Sequence, residues 1–159
     1  MNRDLILQDA EDQRGCIWQG DSKSAFDCVH DVDVLVLCAE ELQPRRSLFA
    51  PKSLEVVYAP NDDGDEITRA QLMIALQAAK KVAKAYLQNK CVLVTCIEGR
   101  NRSGLVVALA LCLLYKLPGA SAKEIVQKRR KGARALTNPA FNQFLDKVPG
   151  DEPPRRSHL

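Results

Sequence analysis

A single α/β domain with a central, mostly parallel sheet of four to five strands flanked by helices is predicted from three observations. Apolar runs of strand length, rich in β-branched residues, recur at 33–39 (DVLVLCA), 54–60 (LEVVYAP) and 91–95 (CVLVT), and unbroken apolar character marks strands covered on both faces. Segments of helical period separate and follow them, an alternation that requires parallel strands joined by helical crossovers. The chain has 159 residues, enough for one domain with a sizeable core.

Residues 5–7 (LIL) and 16–21 (CIWQGD) read as a pair of short strands, the second ending in a turn. Residues 22–30 (SKSAFDCVH) read as a helix opened by a serine cap. The strand at 33–39 follows, then the one at 54–60, which a proline stops. Residues 61–66 (NDDGDE) form a polar, acidic loop. A long helix is predicted over 67–88, where Ile67, Ala70, Ile74, Ala78 and Val82 recur at spacings of three and four and lysines take the other faces. After the strand at 91–95, residues 105–117 read as a helix apolar all round, ended by Pro118 and Gly119. Residues 121–130 and 138–148 supply two more helices, each with a cap residue at its start. The domain is thus expected to span 1–148, with a disordered tail at 149–159 (PGDEPPRRSHL).

A composition of 46% hydrophobic and 27% charged residues excludes disordered and fibrous classes. The net charge of +3 announces neither nucleic acid nor lipid as a partner. The start of the chain shows no basic leader with an apolar run and cleavage site, so a cytoplasmic protein is expected. The longest apolar stretch, 105–115, is roughly half of the ~20 residues a membrane span needs. Six cysteines stand at 16, 28, 38, 91, 96 and 112, several inside apolar runs, and they are expected to be reduced thiols. Cys16, Cys28, Cys91 and Cys112 are assigned to packing. No cysteine or histidine cluster has zinc spacing, and His30 and His158 are far apart, so no metal or cofactor is expected.

Chemistry concentrates at VLVTCIEGRNRSG, residues 92–104. Cys96 sits where a strand passes through a short loop into a helix, at the sheet edge where α/β folds bind ligands. A loop of this kind points successive backbone N–H groups at one spot, and the helix N-terminus adds partial positive charge. Gly99 permits a tight bend and Gly104 a close helix–strand approach. Arg102 offers a planar fork that matches two oxygens of a phosphate. The nest of Ile97, Glu98, Gly99, Arg100, Asn101 and Arg102 would bind a tetrahedral oxyanion, and it also favours the thiolate form of Cys96. Attack of sulfur on phosphorus is the reaction this arrangement supports, and the Ser103 hydroxyl can donate to the sulfur when it departs.

Residues 96–103 (CIEGRNRS) resemble the C-x5-R-[ST] signature of the cysteine-dependent protein tyrosine phosphatases, and the compact size is similar to their dual-specificity branch. IWQGD at 17–21 is similar to that branch's early strand, and NDDGD with the helix after it to its general-acid loop. Residues 129–145 (RRKGARALTNPAFNQFL) resemble its closing segment, so the likeness covers most of residues 5–148. The resemblance implies a phosphomonoester hydrolase with a cysteinyl-phosphate intermediate, acting on phosphorylated protein at phosphotyrosine and phosphoserine or phosphothreonine. It also implies an aspartate that protonates the leaving oxygen. Asp62 is the first choice and Asp63 the second, while Asp65 reads as a turn or helix-cap residue. The family carries histidine before the cysteine, and Thr95 departs from this.

Arg100 and Asn101 make the loop similar to those of relatives that act on RNA 5′-triphosphate ends or phosphoinositides, the alternative substrate classes. The basic residues Lys123, Lys128, Arg129, Arg130, Lys131 and Arg134 would guide such a polyanion or else form a solvated helix face. No aromatic interleaving supports base stacking. Cys38, at the end of a neighbouring strand, packs as a small hydrophobe or, as in some relatives, forms a reversible disulfide with Cys96. A third class is a binding module that holds phosphate without hydrolysis. The joint presence of Cys96, Arg102, Ser103 and a candidate acid argues against it.

Overall fold

The computed structural model describes residues 2–8 and 15–151. Five strands run β1 (Arg3–Gln8), β2 (Cys16–Gly20), β3 (Val34–Ala39), β4 (Glu55–Asn61) and β5 (Cys91–Thr95), with helices α1 (Ser22–Asp27), α2 (Arg69–Leu87), α3 (Arg102–Tyr115), α4 (Gly119–Arg129) and α5 (Pro139–Asp146). The sheet order is β1-β2-β5-β3-β4. β1 pairs antiparallel with β2, and the other three pairings are parallel. The predicted fold class is the one observed, including the pairing of residues 5–7 with the second strand.

Alternation along the strands explains why the runs are apolar throughout. Val34, Val36 and Cys38 of β3, with Val92, Val94 and Cys96, face the layer of α2 to α5. Leu35, Leu37 and Leu93 face the opposite layer, built from α1 and the segment around Phe49 and Leu54. Both faces are dry, so neither can tolerate a polar alternation. The apolar α3 is central: every residue from Arg102 to Leu111 is buried.

Several element boundaries differ from expectation, each for a local reason. α1 is capped by Asp21, whose carboxylate accepts from Ser24 N at 2.9 Å, and not by a serine. α2 begins only at Arg69, because Thr68 and Gln71 form a reciprocal capping box that leaves Asp65 outside the helix. α3 starts at Arg102, so the loop feeds directly into the helix. Pro118 and Gly119, expected to end α3, instead cap and open α4, since Lys116 in a left-handed conformation (φ 55°) already stops α3. Of the expected tail, residues 152–159 lie outside the described residues. No helix among the described residues is long and apolar enough to cross a membrane.

The expectation of six reduced thiols fails at one pair. Cys16 and Cys91 are joined by a disulfide with Cα atoms 4.5 Å apart. Their sequence separation of 75 hides what the parallel register makes plain: β2 and β5 place the two residues directly opposite each other. Cys28, Cys38, Cys96 and Cys112 take part in no disulfide among the described residues. Closing a loop of this length is worth about 4 kcal/mol in the chain-entropy picture. Reduction by a dithiol, or the paired Cys16→Ser and Cys91→Ser substitution, is therefore expected to lower the urea midpoint substantially; an unchanged midpoint would refute the cross-link.

Candidate active site

The loop between β5 and α3 is shaped by what holds its carbonyls. Ile97 O accepts from Ser22 N at 3.1 Å, and Arg100 O accepts from Leu136 N at 3.1 Å. Gly99 O accepts from Gln19 Nε2 at 3.0 Å and from Arg130 Nε at 2.9 Å. With these oxygens bonded outward, the amides of residues 97–101 hydrogen-bond no protein group among the described residues. A ring of unpaired N–H groups at a helix N-terminus is an anion site. Gly99 is required for the bend: it has φ +64°, and a Cβ there would lie 2.5 Å from the Gly20 backbone.

Cys96, 4% exposed, opens this loop at the end of β5. Its Sγ lies 3.3 Å from Ser103 Oγ. Gln19 Nε2 donates to Ser103 Oγ at 3.2 Å, so the single hydroxyl proton of Ser103 remains for the sulfur. Thr95 donates from Oγ1 to Val36 O at 3.3 Å and ties the last residue of β5 to β3.

Arg102 is positioned by a residue the sequence reading did not single out. Its Nη1 and Nη2 donate to the two carboxylate oxygens of Glu41 at 2.5 and 2.8 Å, and Nη1 also reaches Asn61 O at 3.1 Å. The Arg102 guanidinium holds the Glu41 carboxyl below the usual carboxylate range. Arg102 Nε is buried with no hydrogen-bond partner. A buried donor left unmade costs about 1–3 kcal/mol, and an oxyanion over Cys96 would supply the acceptor. Because the Glu41 value is depressed on folding, the pair contributes stability above the ordinary glutamate value, and this is lost as pH falls through the lower folded-state value.

The acidic loop brings its two candidates to different situations. Asp63 accepts from Asn101 Nδ2 at 3.0 Å and from Asn138 Nδ2 at 2.7 Å. Asp62 is exposed and makes no hydrogen bond or ion pair among the described residues. Its carboxylate folds over Gly64, where a Cβ would meet Oδ2 at 2.7 Å. Asp65 is exposed and away from any helix cap.

The basic stretch does not act as one patch. Lys123 pairs with Asp146 and Lys128 with Glu124. Arg130 has a side chain 0% exposed and donates to Gly99 O, Asp4 Oδ2 and Asn2. It braces the loop at Gly99. Arg129, Lys131 and Arg134 stay exposed, and Arg100 reaches Glu98 at 3.2 Å on the surface. Cys38 is fully buried beside Cys96; burial, and then the negative charge of Cys96, push its thiol well above the ordinary range.

Gln19 and Glu41 thus escaped the sequence reading, while Arg130 and Asn138 were read only as a basic surface residue and a helix cap. Only Gln19 carried a signal, as a lone amide inside an apolar strand.

No family profile and no curated protein matches the sequence. Solved structures do. PTPMT1 in complex with PI(5)P superposes with a TM-score of 0.72 at 18% identity, covering 92% of this chain and 93% of that one. Human DUSP28 gives 0.67 at 21% identity, with 82% and 86% covered. Tk-PTP in its active form gives 0.68 at 20% identity, with 91% and 96% covered. The fold is that of the cysteine-dependent phosphatases. The sheet and helices expected from the sequence resemblance are therefore those of the tyrosine and dual-specificity phosphatase architecture.

Proposed function

We propose that the protein is a cysteine-dependent phosphomonoesterase whose preferred substrates are phosphoproteins, at phosphotyrosine and at phosphoserine or phosphothreonine. The observation that carries this reading is the buried, unpartnered Arg102 Nε at the end of the loop that the buried Cys96 opens. Cys96 Sγ lies 3.3 Å from Ser103 Oγ, and the loop amides take no protein partner among the described residues. The phosphoryl oxygens take the amides of 97–101 and the open edge of the guanidinium. Cys96 Sγ attacks phosphorus, the P–O bond to the leaving group breaks, and Asp62 gives that oxygen its proton. Water, deprotonated by the same carboxylate, then attacks the phosphocysteine. The P–S bond breaks and the Ser103 proton stabilises the departing sulfur.

A second reading, a phosphoinositide or RNA 5′-triphosphate end as substrate, is favoured by the exposed Arg100 within the loop and by the PI(5)P held by the PTPMT1 structure. Comparison of kcat/KM for a phosphotyrosine peptide, a phosphothreonine peptide, a phosphoinositide and an RNA 5′-triphosphate separates them. Both phosphopeptides are expected to lead; a lipid or RNA lead would move the assignment to the second reading. Tungstate should inhibit competitively and chelator should leave the rate unchanged. Inertness toward all four substrates and an aryl phosphate would reduce the protein to a phosphate-binding module.

A further inference from the structure

The loop that carries the proposed acid is fastened by its second aspartate. One oxygen of Asp63 accepts from Asn138 Nδ2 at 2.7 Å and the other from Asn101 Nδ2 at 3.0 Å. Neither asparagine is free to move. Asn138 Nδ2 also donates to Gly64 O at 2.9 Å, while its Oδ1 caps α5 by accepting from Ala140 N and Phe141 N. Asn101 Oδ1 accepts from Thr137 N at 2.7 Å and Asn138 N at 3.0 Å. Three segments distant in sequence, the acid loop at 61–66, the phosphate loop at 96–103 and the strap at 136–138, therefore meet on one carboxylate.

The two neighbouring aspartates are consequently suited to different work. Both oxygens of Asp63 are engaged by amide donors that are themselves held by backbone bonds. Asp62 has no such commitments. We infer that Asp63 is a positioning residue: by bridging Asn101 and Asn138 it holds the acid loop closed against the phosphate loop, so that Asp62 meets the leaving oxygen without a prior closing movement. This deepens the phosphatase reading and rests on it. A loop released from the bridge would be closed only part of the time, and kcat would fall by that fraction.

The test compares Asp62→Asn and Asp63→Asn on two aryl phosphates, one with a good and one with a poor leaving group, across pH. Hydrogen exchange of the 61–66 amides is followed in parallel. Asp63→Ser, a smaller change, guards against misfolding of the amide variant. Asp62→Asn is expected to lower kcat roughly 10²–10⁴-fold on the poor leaving group, to spare the good one, and to erase the alkaline limb of the rate profile. Asp63→Asn and Asp63→Ser are expected to lower kcat by roughly 10–10²-fold on the poor leaving group. They should keep the alkaline limb and speed exchange across the loop. Unchanged kcat and unchanged exchange in both Asp63 variants would overturn the inference. So would loss of the alkaline limb in the Asp63 variants alone, which would make Asp63 the acid. A wild-type protein inert toward both esters would defeat the phosphatase reading instead, and the exchange measurement then decides the bridge by itself.

Discussion

Cys96→Ser is expected to lower turnover of an aryl phosphate by roughly 10⁴-fold or more while leaving tungstate binding within a few-fold of wild type. The separation of the two effects follows from how the site is built. The loop proposed to hold the oxyanion owes its shape to Ser22, Gln19, Arg130 and Leu136, which bond the loop carbonyls, and none of these bonds involves the sulfur. The proposed nucleophile, by contrast, is a single atom, and a serine hydroxyl in its place would have no base to ionise it among the described residues. Steady-state kinetics with calorimetric binding checks both halves. Retained turnover would remove sulfur from the mechanism, and lost binding would show that Cys96 holds the loop together.

Arg102→Lys is expected to cost about 10²–10³-fold in kcat, and Arg102→Ala at least as much. Charge is preserved in the lysine variant but the fork is not. Arg102 spends Nη1 and Nη2 on Glu41 and leaves Nε unpartnered, open to the proposed substrate, and a single ammonium cannot serve both sides with fixed geometry. Glu41→Gln should then reproduce a fraction of the loss, because it frees the guanidinium to turn without removing it. Pre-steady-state measurement of the first turnover locates the defect. An Arg102→Lys protein with wild-type kcat would show that charge alone suffices and that the bidentate Glu41 pair has no catalytic consequence.

Those parts of the architecture set by local pattern were legible in the amino-acid order. The runs at 33–39, 54–60 and 91–95 became β3, β4 and β5 because strands buried on both faces have no room for polar alternation. The loop at 96–103 was legible because its candidate nucleophile, its glycine bend and its arginine fall within eight consecutive residues. What escaped was everything decided by register and return of the chain. Glu41 meets Arg102 across 61 residues, Gln19 meets Gly99 across 80, and Arg130 meets Asp4 across 126. No periodicity records such pairings. The Cys16–Cys91 cross-link belongs to the same class, since it follows from the parallel pairing of β2 and β5 and not from spacing. The acid loop offered three carboxylates with no directional information. Only the positions of Asn101 and Asn138 distinguish a bridged Asp63 from an unengaged Asp62.

A crystal structure of the protein soaked in vanadate tests the proposed chemistry most directly. Vanadium should sit over Cys96 Sγ within bonding reach, with Arg102 Nε and the amides of 97–101 donating to its oxygens and Glu41 still gripping the other edge of the guanidinium. Vanadate absent from that ring, or bound there with the sulfur turned toward Cys38, would contradict it.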